Sequence, residues 1–225
     1  MKYLLSFILL HGIRIFAKIF YRFKINWLTG SQADWDEIRY VVFLNHTSLF
    51  EPLYLGAAPS WFVTKLSKKM VAPAADKTLN RPIVGKFWKL LFPGIISISR
   101  KMDATWRQFM QALENKSIII IAAEGRMKRA NGLDANGRPM TVRSGVADIL
   151  DQLDGGKMLV AYSGGLHHIQ IPGQKIPRLF KTMKLNFDIL DISDYKNSFP
   201  VEGIQWKRAV VRDMQERLET RCPKI

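Results

Sequence analysis

The chain has 225 residues, 48% of them apolar, which is enough for one substantial core and too few to demand two domains. Lys and Arg outnumber Asp and Glu by 34 to 19, a formal charge of +15, so the expected partner is anionic: a membrane surface, a phosphorylated substrate or an acidic carrier protein. Nucleic acid is set aside because no recognition-helix pattern, zinc-finger spacing or aromatic RNA-binding strand occurs, and a single cysteine, Cys222, excludes an intrachain disulfide framework.

Residues 1–28 read differently from the rest. Tyr3 to Ile13 is uncharged; then Arg14, Lys18 and Arg22 recur every fourth residue opposite Ile15, Phe16, Ile19, Phe20 and Phe23. This pattern predicts an amphipathic helix over 1–28, with a greasy face and a basic face. The uninterrupted apolar run is short of the roughly 20 residues a span requires, so the helix is expected to lie in a membrane interface. Lys2, Arg14, Lys18, Arg22 and Lys24, with no acid among them, suit anionic headgroups. Two other readings compete: a signal peptide, which lacks a small-residue cleavage site, and an amphipathic helix packed on its own domain.

Residues 30–37 are polar and turn-like and mark the entry to a folded domain over about 35–220. Arg39 to Leu44 is an apolar, β-rich run that stops at Asn45-His46-Thr47-Ser48-Leu49-Phe50-Glu51-Pro52. A strand ending in polar side chains delivers them to one rim of a sheet, where open α/β folds place chemistry. Pro52 pushes Glu51 out of helical conformation and opens a short helix over 52–58, so the turn can fold Glu51 back onto His46. A carboxylate holding one imidazole nitrogen fixes the tautomer and leaves the other as a base for a hydroxyl proton. The competing reading is that His46 is a loop histidine satisfied by its neighbours, since such spacings also arise by chance.

Trp61 to Leu66 reads as a second strand, leading into Lys65, Lys68 and Lys69, which are either a solvated face or a hold on donor phosphates. Pro82 opens a helix over 82–92 that is apolar almost all round, and so is buried or touches lipid or an acyl chain. Gly94 to Arg100 is a strand with Arg100 at its exit, and Asp103 caps a core helix carrying Trp106, Phe109, Met110 and Leu113. Ser117 to Ala123 is a strand buried on both faces. At its exit come Glu124, Gly125 and Arg126, and Arg126 with Arg100 could grip a phosphate from two strand ends. Asn131 to Pro139 is a mobile loop candidate, Thr141 to Leu153 a helix, and Gly156 to Ser163 a buried strand followed by Gly164-Gly165. The adjacent His167 and His168 point in different directions and lack acidic or Cys partners, so no metal is expected. Met183 to Ile192 is a further strand, and Trp206 to Leu218 a helix with one apolar stripe. Strands alternating with helices predict a three-layer α/β/α domain with a mixed, mostly parallel sheet.

Three stretches in order carry a resemblance. Asn45 to Pro52 (NHTSLFEP) resembles the first motif of the glycerolipid acyltransferases, the family of 1-acylglycerol-3-phosphate acyltransferase. Ile96 to Arg100 (ISISR) looks like their second motif, and Ala122 to Arg129 (AAEGRMKR) is similar to the third. The likeness covers roughly residues 35–195. It implies transfer of a fatty acyl group from a CoA or carrier-protein thioester to a lysophospholipid-like or glycerophosphate hydroxyl. His46 would be the base and Glu51 its support, with Asn45, Arg100, Glu124, Gly125 and Arg126 around the acceptor phosphate. No metal or bound cofactor is implied, and the expected place is the cytoplasmic face of a membrane. Glu51 stands where phosphatidate-forming members usually have Asp, Ala122-Ala123 where an aromatic-Pro pair is common, and Gly164-Gly165 where a Pro usually follows the strand. Arg143, Ser144 and Gly145 occupy the place of a basic residue and Gly. A hydrolase with the same dyad and a silent lipid-binding protein are the alternatives.

Overall fold

The computed structural model describes residues 2–99, 103–113, 117–171 and 174–225. Seven strands form one sheet: β1 (Arg22–Thr29), β2 (Ile38–Leu44), β3 (Met70–Ala75), β4 (Ile95–Ile98), β5 (Ile118–Ala122), β6 (Lys157–Ser163) and β7 (Thr182–Asp191), in the order β1-β7-β6-β2-β5-β3-β4. Every pairing is parallel except β6 with β7, so the sheet is mixed and mostly parallel, as expected.

Helices cover both faces. The front carries α1 (Lys2–Phe20), a 3-10 helix over Glu51–Ala57, α2 (Ser60–Lys69), the short α3 (Asp76–Leu79) and α4 (Pro82–Leu91). The back carries α5 (Ala104–Gln111), α6 (Gly145–Asp151), α7 (Ile192–Asn197) and α8 (Gly203–Arg221). The pleat sorts the strands between them. On β6, Leu159 and Ala161 join the front cluster while Met158, Val160 and Tyr162 join the back; on β2, Val41 faces front, and Tyr40, Val42 and Leu44 face back.

Three sequence expectations need correction. The helix read over 1–28 ends at Phe20, and residues 22–29 are a strand parallel to β7, with Arg22 opposite Thr182. Phe23, Ile25 and Trp27 alternate with Arg22, Lys24 and Asn26, a two-residue period that the spacing of Arg14, Lys18 and Arg22 obscured. Trp61 to Leu66 is not a strand but lies within α2, where the buried Phe62, Val63 and Leu66 follow a helical period behind Pro59. The strand comes just after it, as β3, which contains Pro73. Ala72 N–H donates to Gly94 on the β4 side, so position 73 faces the β5 side, where pairing stops at Val71 and the missing N–H breaks no ladder bond. The helix read over 141–153 starts only at Gly145, because Arg143 N–H donates to Ala123 and Val142 N–H to Gln215 Oε1.

α1 lies along the domain. Ser6, Leu10 and Ala17 form its buried face, Ser6 Oγ donates to Leu91 O at 2.7 Å, and Arg14 Nε donates to Ala58 O at 3.0 Å. Arg14 therefore serves the end of the 3-10 helix instead of a solvent-facing basic stripe. On the back, the fully buried Asp188 of β7 accepts from Arg217 at 2.7 Å, Arg221 at 2.6 Å, Tyr162 at 3.1 Å and Thr29, tying α8 to three strands.

Candidate active site

β2, β5 and β6 are parallel neighbours, so all three end at the same rim. That rim receives Asn45-His46 from β2, Glu124-Gly125 from β5 and Gly164-Gly165 from β6. The His46 Nδ1–H donates to Glu51 Oε2 at 2.5 Å, and Glu51 Oε1 accepts from the amides of Thr47 at 2.7 Å and Ser48 at 3.3 Å. The carboxylate thus closes the turn that holds it and fixes the imidazole tautomer with Nε2 as the basic nitrogen. Pro52 sits in the first turn of the 3-10 helix, as the sequence predicts, but the helix begins one residue earlier, with Glu51 itself in the turn and Phe50 as its cap, so the fold-back onto His46 does not need Glu51 to leave helical conformation.

Beneath the histidine lies Glu124, 1% exposed. Its Oε1 accepts from Asn45 N–H at 2.6 Å and His46 N–H at 3.3 Å, while Oε2 is buried with no hydrogen-bond partner among the described residues. Burial pushes its carboxyl above the ordinary value, against the pull of those amides and of His46. Asn45 has φ +67°, a left-handed conformation that asparagine tolerates better than most side chains. Its amide nitrogen also donates to Ser163 O at 2.8 Å. The backbone that aims His46 is therefore clamped from β5 and β6 together.

Gly125 also adopts a left-handed φ of +61°, which turns the chain across the rim and leaves space at its missing Cβ, where Arg143 Cγ at 3.8 Å is the nearest atom. Arg126 reaches the same rim, where its guanidinium is already ion-paired with Asp134, whose side chain is 2% exposed. Asp134 in turn accepts from the amides of Asn136 at 2.7 Å and Arg138 at 2.9 Å, and Leu133 bridges Pro139. The loop over 131–139, read from sequence as mobile, is thus pinned at its centre. Arg100 lies outside the described residues.

A cavity of about 770 Å³ opens beside the dyad. His46, Glu51 and Glu124 line it, Arg126, Arg138 and Arg143 make a basic end, and its walls run inward past Phe43, Phe62, Trp88 and Leu159 to Phe187. This is the size and composition of a site for a long apolar ligand with one charged end.

Several supports escaped the sequence reading. Tyr54, three residues after Glu51, brings its hydroxyl within 2.6 Å of Ser163 Oγ, and burial pushes that phenol well above its usual value. Thr47 Oγ1 accepts from Leu166 N–H at 2.8 Å, and His167 pairs with Lys128 O at 3.0 Å while Lys128 N–H donates to His46 O at 2.7 Å. The i, i+3 spacing of Glu51 and Tyr54 was the available signal for the first; the others need the assembled rim. His168 bonds Thr182 O at 2.9 Å, so the two histidines anchor backbone on different elements.

A histidine hydrogen-bonded to a carboxylate beside an apolar cavity, at one rim of an α/β sheet, is an arrangement that could serve transfer of a hydrophobic acyl group. Residues 28–163 match the Acyltransferase family, and the chain belongs to that family. Among solved structures it is similar to the 1-acyl-sn-glycerophosphate acyltransferase PlsC of Thermotoga maritima, at 21% identity and a TM-score of 0.54, covering 96% of this chain and 81% of that one. That likeness bears on the fold. No curated protein sequence matches the chain.

Proposed function

We propose that this acyltransferase moves a fatty acyl group from a CoA or carrier-protein thioester to the hydroxyl of a lysophospholipid or related glycerophosphate lipid. The observation that carries the reading is the His46–Glu51 hydrogen bond of 2.5 Å at the edge of the cavity of about 770 Å³. His46 Nε2 takes the acceptor's hydroxyl proton as the oxygen attacks the thioester carbonyl carbon. The tetrahedral adduct collapses, the C–S bond breaks, and the departing thiolate takes the proton back from the imidazolium, leaving an ester and a thiol. Glu51 supports the imidazolium between those steps.

The apolar walls suit the acyl chain, and Arg126, Arg138 and Arg143 suit a phosphate at the open end. Arg126 would serve through its hold on Asp134 as much as by direct contact, since that ion pair already occupies part of its fork. The likeness to a 1-acyl-sn-glycerophosphate acyltransferase favours an acceptor of that class. Under this reading the enzyme works at the cytoplasmic face of a membrane, where its thioester donors and lipid acceptors meet.

The test is transfer of label from palmitoyl-CoA and palmitoyl-carrier protein to a panel of lysolipids, with wild type beside His46→Ala. Loss of the base should lower turnover about 10²- to 10⁴-fold. The thermal midpoint should stay in place, because His46 sits on the rim outside both core clusters. Label released only as free fatty acid would make the protein a hydrolase.

A further inference from the structure

Three apolar segments adjoin along one side of the front layer. α1 turns Leu4, Ile8, Ile15 and Ile19 outward, each more than half exposed, on the side opposite its buried face. The Ser6–Leu91 hydrogen bond joins its first half to α4, on which Ile83 is 84% exposed and Phe87 and Leu90 are nearly half exposed. At its other end Phe180 N–H donates to Phe20 O at 2.8 Å, the two rings lie 5.7 Å apart, and Phe180 and Ile176 are 73% and 81% exposed. Phe180 holds φ +59°, an unfavourable conformation for a bulky side chain.

The patch runs the length of α1, about 28 Å at 1.5 Å per residue. Water-facing surfaces do not carry apolar patches of this extent without a partner. The charged residues on its own segments have one sign: Arg81, Lys86 and Lys89 on and before α4, Lys18 on α1, and Lys175, Arg178 and Lys181 in the loop, with Asp76 on the neighbouring α3 the nearest acid in the chain before α4. No acidic residue occurs in 2–33, 77–99 or 155–187. An apolar patch rimmed by cations fits an anionic lipid surface. It disfavours a second copy of the chain, which would bring like charges together.

We propose that α4 and the loop 174–181 dock on an anionic bilayer together with α1 as one face. α1 lies in the plane, since its inner side is bound to the domain through Ser6, His11 and Arg14. α4 is the wall between lipid and cavity: Trp88 lines the cavity from its inner side while Ile83, Phe87 and Leu90 face outward. The docking surface stands apart from the acyl-transfer reading; only the cavity's occupant rests on it.

The experiment uses the full chain and co-sedimentation with phosphatidylcholine vesicles, with and without phosphatidylglycerol. Ile83→Glu/Phe180→Glu, with α1 untouched, should bind the anionic vesicles at least about tenfold more weakly. Lys86→Glu/Lys89→Glu should erase the preference for anionic over neutral vesicles. Unchanged thermal midpoints would show that both variants fold, and unchanged transfer from a soluble short-chain thioester would leave the catalytic reading intact. Wild-type binding by both variants, with loss only in Leu4→Glu/Ile8→Glu, would overturn the proposal in favour of α1 alone. A wild-type dimer in lipid-free solution that the Ile83→Glu/Phe180→Glu pair dissociates would overturn it in favour of self-association.

Discussion

The two faces of the sheet are built from the same kinds of residue and end up in opposite states. On the back, Ile119, Ile149, Leu150, Met158, Tyr162 and Phe109 are fully buried against α5 to α8, and α8 shows solvent a charged outer side. On the front, Phe43, Leu159, Ala161 and Phe187 come from the same sheet yet line the cavity of about 770 Å³. Interiors are normally close-packed, so a void of that size forgoes dispersion contacts that stabilise the fold. The close-packed back layer stabilises the sheet, against which the front layer leaves this cavity open, with Trp106, Ile121 and Ala123 of the back cluster reaching its edge.

The largest effect expected from breaking that division is at Asp188, the buried carboxylate that joins α8 to the strands. Asp188→Ala removes the buried acceptor that Arg217 and Arg221 share and leaves Arg217 its ion pair with Asp213 at 2.6 Å. The cost should be about 3 kcal/mol, the low end for a broken buried ion pair, because Arg221 keeps 40% of its side chain in solvent. Urea unfolding measures it, and a change within error of zero would mean the back layer is held by packing alone.

A paired substitution sharpens the contrast. Ala147 of α6 is completely buried in the back cluster, so Ala147→Leu should cost about 1–3 kcal/mol by overpacking. Ala161 is as small and nearly as buried, but it lines the cavity. Ala161→Leu has room to enter, should change stability by less than about 0.5 kcal/mol, and should cut turnover of the longest acyl donors more than that of short ones. Equal destabilisation at both positions would show that the front layer closes up in solution.

The sequence made the back layer and the central strands legible because their periods are clean: β5 as an unbroken isoleucine run, α5 from Asp103 and its i, i+3, i+4 stripe, α8 from Trp206, Val210 and Met214. The front layer was harder. Trp61 to Leu66 has β-rich composition but helical burial, and tertiary contact decided it. Arg22 to Thr29 extends a basic spacing that belongs to α1, while its backbone pairs with β7, some 160 residues away in the chain. The dyad was legible because it is local, closed within six residues by Pro52 and the turn. The cavity was not, since a phenylalanine that lines a void and one that fills it read alike. Arg126 was legible as a cation at the rim, but its partner Asp134 was not, because the ion pair depends on how the 131–139 loop folds back.

Glu124 tests the seam between the two layers, with the smallest effect of the set. Sequence resemblance put it at the phosphate end; the structure puts one of its oxygens on the amides of Asn45 and His46 and buries the other. Its carboxyl is raised by burial, so the folded state favours the protonated form more than the unfolded chain does. That contribution to stability is complete below the ordinary carboxylate range and is lost as pH rises through the raised value. Glu124→Gln keeps an acceptor for both amides and cannot ionise. Its thermal midpoint should therefore gain on that of wild type as pH rises through this window, with turnover largely kept because the amides still aim His46. Glu124→Ala removes the acceptor, so it should lose turnover while His46 and Glu51 remain. Wild type and Glu124→Gln running parallel across pH would place the proton elsewhere, and Glu124→Ala with full turnover would show that the left-handed turn at Asn45 holds without its clamp.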